Sequence, residues 1–388
     1  MLTMRSLQPF IEQDLGKKIV LLGGPRQVGK THLALHLTKK LLGHYYNWDD
    51  AGDREHILKK GFLHDQFVVL DELHKYERWK GFLKGLYDKY HQNLKMMVTG
   101  SARMDVYRRG GDSLFGRHYH FRLHPLSVGE VLNPKQILPP ENSWSMETPH
   151  KENNEVFQQL LKFGGFPEPF YTATEKEHER WSLQRRELLV RQDIRDLTQI
   201  HMLGLVEHLM LLLPNHVGSV LSLHSIKENL QVAYNTVGQW LQTLERLYIC
   251  FPLKPYSTKM RRSLHKSSKV YLWDWSQIEN EGARFENLVA SHLLKATHVW
   301  RDLGHGDFEL FFLRDRDRRE VDFCVCKNKK PWLIVETKLA ETQVSEPLYY
   351  YSQKLSVPAI QVVAKKGISQ QNGPIKIISA DSFLATLP

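Results

Sequence analysis

Apolar residues in the first third of the chain fall into short unbroken runs separated by amphipathic stretches. KIVLLG at 18–23 reads as a buried strand, and HLALHLTKKLLG, starting at His32, as an amphipathic helix that stops at Gly43. FVVLDE at 67–72 is a second buried-type strand ending in two carboxylates, and LKMMVTGSAR at 94–103 is a third that ends in polar residues. Alternating strands and helices of this kind predict an α/β fold around a parallel sheet. Residues 133–156 are rich in Pro, Asn and Glu and carry little periodicity, which predicts a long connection.

Beyond the connection, 157–213 read as helices. From Leu223 the pattern gives two helices with a tight turn around Val232 to Asn235, then a strand pair, which suggests a winged helix-turn-helix. The second helix would turn Val237, Trp240, Leu241, Leu244 and Leu247 inward and offer Asn235, Thr236, Gln239 and Gln242 to a groove. The C-terminal pattern predicts helix (284–296), strands (308–314, 320–326, 331–338), helix (344–355) and strand (358–364). The division expected is 1–135, a linker at 136–156, 157–213, 214–270 and 271–388. With 388 residues, two or three cores are the natural outcome.

Chemistry concentrates first in GPRQVGKT, which sits between the strand at 18–23 and the following helix. Gly24 and Gly29 let the backbone N–H groups of Gly24, Pro25, Arg26, Gln27, Val28 and Gly29 (Pro25 excepted, having none) curl around phosphates, and the helix N-terminus adds its dipole. Lys30 would reach the β- and γ-phosphates of ATP and Thr31 would ligate Mg²⁺. Asp71 would hold Mg²⁺ through water and Glu72 would polarise the attacking water. Thr99 or Ser101 would sense the γ-phosphate, with turn capping the alternative for either hydroxyl. Arg117 is the candidate arginine finger, in cis or in trans, with Arg103, Arg108 and Arg109 as rivals and a solvated arginine as the bland reading. No GxGxxG dinucleotide fingerprint is present.

The run GPRQVGKT, then FVVLDELHK, VTGSAR and SLFGRHYHFRLHPLSVGE, resembles the prokaryotic AAA-type ATPases that carry a C-terminal domain of uncharacterised function. FGGFPEPF at 163–170 and RRELLVRQDIRDL at 185–197 are similar to later stretches of that family, so the likeness spans nearly the whole chain. The C-terminal element order is similar to the core of PD-(D/E)XK nucleases, a restriction-endonuclease-like α/β fold. That resemblance implies a metal-dependent nuclease set in Glu286, Asp322, Glu336 and Lys338, with Asp322 and Glu336 as Mg²⁺ ligands. Thr337 stands at the family's variable position, and Val321 precedes Asp322 where the family has proline. A hairpin centred on Lys329 would place Asp322 opposite Glu336, with Lys338 on the same face.

A formal charge of +10 favours polyanionic partners, DNA first and an anionic membrane second. Basic runs at 259–269, 314–320 and 327–330 are candidate phosphate contacts, as are Arg185, Arg186, Arg191 and Arg195, although alternating charges on a helix usually mark a solvated face. Cys250, Cys324 and Cys326 are too few for a disulfide framework and read as reduced, buried thiols. The twenty histidines form no HExxH motif and no Cys/His quartet. The N-terminus lacks a signal-peptide core and no apolar run spans a bilayer, so a cytoplasmic location is expected. Three functions stay open: ATP hydrolysis coupled to nucleic acid, with a homo-oligomer if Arg117 acts in trans; an ATP-regulated nuclease; and a nucleotide-gated interaction module without nuclease activity.

Overall fold

Strands β1 (Ile19–Gly23), β2 (His44–Asn47), β3 (Phe67–Asp71), β4 (Lys95–Gly100) and β5 (His118–Arg122) form a sheet in the order β2-β3-β4-β1-β5 in a computed structural model. The structure describes residues 4–100, 114–142, 151–194, 202–257 and 268–388. All neighbours in this sheet run parallel. β1 and β3 are buried along their full length, as a sheet covered on both faces requires. The helix Trp79–Tyr90 packs Trp79, Leu83 and Leu86, spaced for one helical face, into the same core as Val68, Leu70, Met96 and Val98. The helix Lys30–Lys40 buries Leu33, Ala34 and Leu37 by the same periodicity.

The chain divides into two compact units. The first is Met1–His124 with Arg246–Tyr248, and the second is Pro125–Glu245 with Ile249–Pro388. Within the second unit the helices Leu223–Leu230 and Tyr234–Arg246 follow one another, the first capped by Ser222, whose hydroxyl accepts from the Ser225 N–H at 3.2 Å. Val237, Trp240, Leu241 and Leu244 are buried, while Asn235, Gln239 and Gln242 are exposed. An antiparallel pair follows, β6 (Cys250–Leu253) with β7 (Lys269–Leu272).

The C-terminal part is a six-stranded mixed sheet in the order β12-β13-β11-β10-β9-β8. Its strands are β8 (Phe308–Arg314), β9 (Glu320–Lys327), β10 (Lys330–Lys338), β11 (Ala359–Val363), β12 (Ser369–Asn372) and β13 (Ile375–Ser379). β8, β9 and β10 form an antiparallel meander, and the helix Glu346–Leu355 makes the crossover that lets β11 run parallel to β10. The helix Glu281–Asp302, capped by Asn280, lays Phe285, Leu288, Val289, Leu293, Ala296 and Trp300 into the core. The order of helix, three strands, helix and strand read from the hydrophobic pattern is the order found up to β11, and the structure adds β12, β13 and the helix Ala380–Ala385 after it. All three cysteines are buried and free.

Lys295 and His292 are two of the polar residues that the long helix encloses. Lys295 Nζ donates to Ser127 Oγ at 2.7 Å and pairs with Glu130 Oε2 at 2.5 Å. His292 Nε2 accepts from the Val128 N–H at 3.1 Å, which fixes the proton on Nδ1, where it is donated to the Leu288 carbonyl at 2.8 Å. Burial of this satisfied neutral ring, with Lys295 nearby, lowers its pKa to about 3. A base whose pKa is lower in the folded than in the unfolded state takes up its proton preferentially on unfolding, so its contribution is intact near neutrality and is lost as pH falls below the unfolded value. From pH 7 to pH 5 this group should remove about 2 kcal/mol of stability. Urea titrations of the wild type and His292→Asn at both pH values check it: the variant starts less stable and loses less on acidification.

Candidate nucleotide site

The loop after β1 is shaped by backbone geometry before any side chain acts. Gly24 has φ +154° and lies so close to β5 that a Cβ there would stand 2.5 Å from the Leu123 carbonyl oxygen. Gly29, at φ +100°, turns the chain into the helix that starts at Lys30. Gln27 also takes a positive φ, of 62°, so three of the six loop residues leave the ordinary regions. Buried Arg5 holds the loop down, donating to the Val28 carbonyl at 2.7 Å and the His124 carbonyl at 2.5 Å. Lys30 Nζ donates to the carbonyls of Gly24 at 2.8 Å and Pro25 at 2.7 Å, so the ammonium is retained within the loop it serves.

β4 is interposed between β1 and β3, and the register sets Thr99 beside both Leu22 and Asp71. Asp71 is buried, and its carboxylate gathers the surrounding hydroxyls. Oδ2 accepts from Thr31 Oγ1 at 3.4 Å and from the Tyr45 hydroxyl, and Oδ1 accepts from Thr99 Oγ1 and from the Glu72 N–H at 3.0 Å. Burial and the Asp71 charge keep the Tyr45 hydroxyl protonated far beyond its ordinary range. Thr31, Asp71 and Thr99, proposed from sequence for one site, are therefore brought together. Tyr45 was missed, because its role arises only from the parallel pairing of β2 with β3, which sets Tyr46 against Leu70 and Asn47 against Asp71.

Glu72 follows directly with φ +55°, a left-handed conformation rare outside glycine. Its N–H is shared between Asp71 Oδ1 and the Thr99 carbonyl, the latter at 2.9 Å, which holds the strained residue in place. Glu72 Oε2 accepts no hydrogen bond from the described residues, with His74 Nε2 at 3.6 Å and Lys75 Nζ at 3.7 Å. Burial, reinforced by Asp71, raises its pKa. Desolvation makes a carboxylate more basic, the property that general-base chemistry uses.

Arg117 is not brought to this cluster. It precedes β5, at the end opposite the loop, and makes a two-pronged contact with Asp88 at 2.6 and 3.3 Å. Arg122, at the other end of β5 and paired in register with Gly23, is the arginine nearest the loop along this strand. Ser101, Arg103, Arg108 and Arg109 lie outside the described residues.

The second set of predicted residues also converges, within the second unit. The β9–β10 register, Val335 with Phe323, continues toward Glu336 and Asp322. Asp322 Oδ2 accepts from the Thr337 N–H at 2.9 Å and Thr337 Oγ1 at 2.7 Å, and the Asp322 N–H reaches Glu336 Oε2 at 3.4 Å. Lys338 Nζ pairs with Glu336 Oε1 at 3.0 Å, and Glu286 Oε1 accepts from the Tyr271 hydroxyl at 2.7 Å. Burial, and then the Asp322 charge, raise both Glu286 and Glu336 to about 7. Lys269, which the sequence offered only as the last residue of a basic run that would contact phosphate, is instead buried: it enters from β7 and points at Glu320, Glu286 and Asp322. Among the described residues no group of three or more His, Cys, Asp or Glu side chains is arranged to hold a metal ion.

The basic runs are partly paired, with Arg316, Arg318, Lys329 and Lys330 left exposed. Arg314 bonds Glu320, Arg319 bonds Asp315 and Asp317 while stacking on Tyr350, and Lys327 pairs with Glu141. Arg185 is buried over the Phe166 ring and 3.8 Å from Asp274, and Arg186 stands 4.0 Å from Glu207. Residues 258–267, the Arg191 side chain and Arg195 lie outside the described residues. No described helix is long and apolar enough to cross a membrane.

A glycine-shaped loop at the carboxyl end of a parallel strand, with Lys30, Thr31 and Asp71 in place, defines the first unit as a P-loop nucleotide-binding domain. Residues 16–132 match the family model described as an AAA domain, which makes that domain AAA-type. Residues 154–278 and 281–381 match two domains of unknown function, DUF8612 and DUF4143. An uncharacterized protein of Haemophilus influenzae is 22% identical over 299 residues, a match covering 73% of this chain and 69% of that one. An uncharacterized protein of Methanocaldococcus jannaschii is 23% identical, with 67% of this chain and 61% of its own length covered, so the chain spans under two thirds of that relative. Among solved structures, the Thermotoga maritima RuvB Holliday junction branch migration motor is 15% identical and covers 63% of this chain and 85% of its own, at a TM-score of 0.30.

Removing the Tyr45 hydroxyl leaves Asp71 Oδ2 with one remote partner. Tyr45→Phe should cost about 1 kcal/mol of unfolding free energy. Denaturant titration measures it, and an unchanged midpoint with an unchanged slope would show that the contact carries no energy.

Proposed function

We propose that the chain binds Mg²⁺-ATP on residues 24–31 and hydrolyses it, and that the second unit couples this turnover to nucleic acid. The observation that carries the reading is the convergence of Thr31, Thr99 and Glu72 on the Asp71 carboxylate beside a loop whose lysine is poised within it. Lys30, released from the Gly24 and Pro25 carbonyls, binds the β- and γ-phosphates. The donor set of one hydroxyl and one carboxylate fits Mg²⁺: Thr31 and Asp71 would hold it, and the ion would supply charge neutralisation across the transferring phosphoryl group. Glu72 orients water with its uncommitted oxygen, and Thr99 links Asp71 to the γ-phosphate position. Arg117, on the far side of the strand from the loop, serves only a neighbouring subunit's site in this reading.

Coupling to nucleic acid is supported by the helix Tyr234–Arg246, which presents Asn235, Gln239 and Gln242 to solvent from a rigid, buried opposite face. Amide side chains on an exposed helix of a winged helix-turn-helix suit base-edge contact in a major groove. The test is Mg²⁺-dependent ATP hydrolysis by the full chain with and without duplex and single-stranded DNA. Turnover should fall at least a hundredfold in Lys30→Ala and Glu72→Gln, with nucleotide binding kept in the latter. DNA stimulation should weaken with salt and vanish in Asn235→Ala/Gln239→Ala/Gln242→Ala. Turnover indifferent to DNA at low salt would overturn the coupling and leave the hydrolysis standing.

A further inference from the structure

We propose that Lys269 is the built-in cation of the Glu286–Asp322–Glu336 pocket, so that this nuclease-like constellation carries no divalent ion and the C-terminal domain binds without cleaving. The resemblance to PD-(D/E)XK enzymes implies a metal on Asp322 and Glu336. The surrounding donors argue otherwise. Lys269 Nζ stands 2.8 Å from Glu320 Oε1, 3.4 Å from Glu286 Oε1 and 3.8 Å from Asp322 Oδ1. Its side chain is 2% exposed and cannot swing into solvent without moving β7.

Seven of the eight carboxylate oxygens of the pocket are engaged by protein donors, Glu286 Oε2 being the exception. Asp322 gives Oδ1 to Lys269 and Oδ2 to Thr337; Glu336 gives Oε1 to Lys338 and Oε2 to the Asp322 N–H. Glu320 is divided between Lys269 and Arg314, and Glu286 Oε1 is shared by Lys269 and Tyr271. A hard divalent cation binds by taking oxygens that lack such partners. Here it would have to displace a buried ammonium or lie beside it, with like charges in a poorly screened site. β7 belongs to the two-stranded ribbon after the candidate recognition helix, so the same lysine ties that ribbon to the C-terminal sheet.

The inference does not depend on ATP hydrolysis and is tested on the nucleotide-free full chain with Mn²⁺ as the probe. Bound Mn²⁺ is counted by electron paramagnetic resonance in wild type, Asp322→Asn, Lys269→Met and the double variant, with thermal unfolding in parallel. Wild type and Asp322→Asn should bind the same amount of Mn²⁺ and show the same absence of Mn²⁺-induced stabilisation, whatever their melting temperatures without metal. Lys269→Met should gain a site at least tenfold tighter than any in the wild type, raise its melting temperature with Mn²⁺, and lose both effects when Asp322→Asn is added. An Asp322-dependent site in the wild type, or no gain in a folded Lys269→Met, would overturn the proposal. If Lys269→Met does not fold, the comparison of wild type with Asp322→Asn decides it alone.

Discussion

The nucleotide-binding unit depends on one desolvated carboxylate. Asp71 sits at the end of a fully buried strand, where an unpaired charge would be costly, and it is stabilised by donors from four separate segments: Thr31 on the P-loop helix, Tyr45 on β2, the Glu72 N–H and Thr99 on β4. This requirement couples chemistry to architecture. β4 must lie between β1 and β3 for Thr99 to reach, and β2 must flank β3 for Tyr45 to do so. The strained backbone at Glu72 follows from the same point, since its N–H completes the Asp71 shell while its side chain is turned away.

The second unit solves its charge problem differently. There, acids meet buried lysines: buried Glu130 meets Lys295, and the half-buried Glu286, Glu320 and Asp322 meet Lys269. Such pairs add little net stability over apolar packing, yet removal of either partner strands a charge and is expensive. They specify which strands and helices assemble more than how tightly. Lys295 and His292 tie the long helix to the segment 125–130, and Lys269 ties β7 to β9 and to the same helix. The carboxylates that read as catalytic in the sequence are thus also structural acids.

Strands β1, β3 and β4 were legible because a doubly covered parallel sheet imposes unbroken apolar runs, and the P-loop was legible because its constraints are local. The hairpin register that joins Asp322 to Glu336 followed from strand periodicity, and it survived a bulge between Pro331 and Leu333. Tyr45, Arg5 and Lys269 were not legible. Each acts across a sequence separation of at least 17 residues, as in Lys269 with Glu286, and up to 119, as in Arg5 with His124, on partners that only the tertiary pairing selects. No spacing rule marks a tyrosine on a half-buried edge strand as a ligand of the next strand's aspartate. Arg117 shows a different limit: the sequence left its action in cis or in trans open, and its strand places it at the end of the sheet away from its own loop, which bears on the first alternative alone.

The net charge of +10 counts the cations in excess of acids and is unaffected by ion pairing, so it says nothing of where those cations lie. In the run 314–320, Arg314 and Arg319 are committed to Glu320, Asp315 and Asp317, leaving Arg316 and Arg318 exposed. Arg185, Lys269 and Lys295 are buried against acids and contribute nothing to a surface field. Phosphate affinity scales with the number of cations that release counterions, not with composition. Among the described residues, Arg316, Arg318, Lys329 and Lys330 are outward cations that a polyanion could meet, in addition to the amide face of the helix Tyr234–Arg246. Contacts made by that amide face and adhesion through the exposed cations are separable in principle, since only the second varies with the number of counterions released and so with salt.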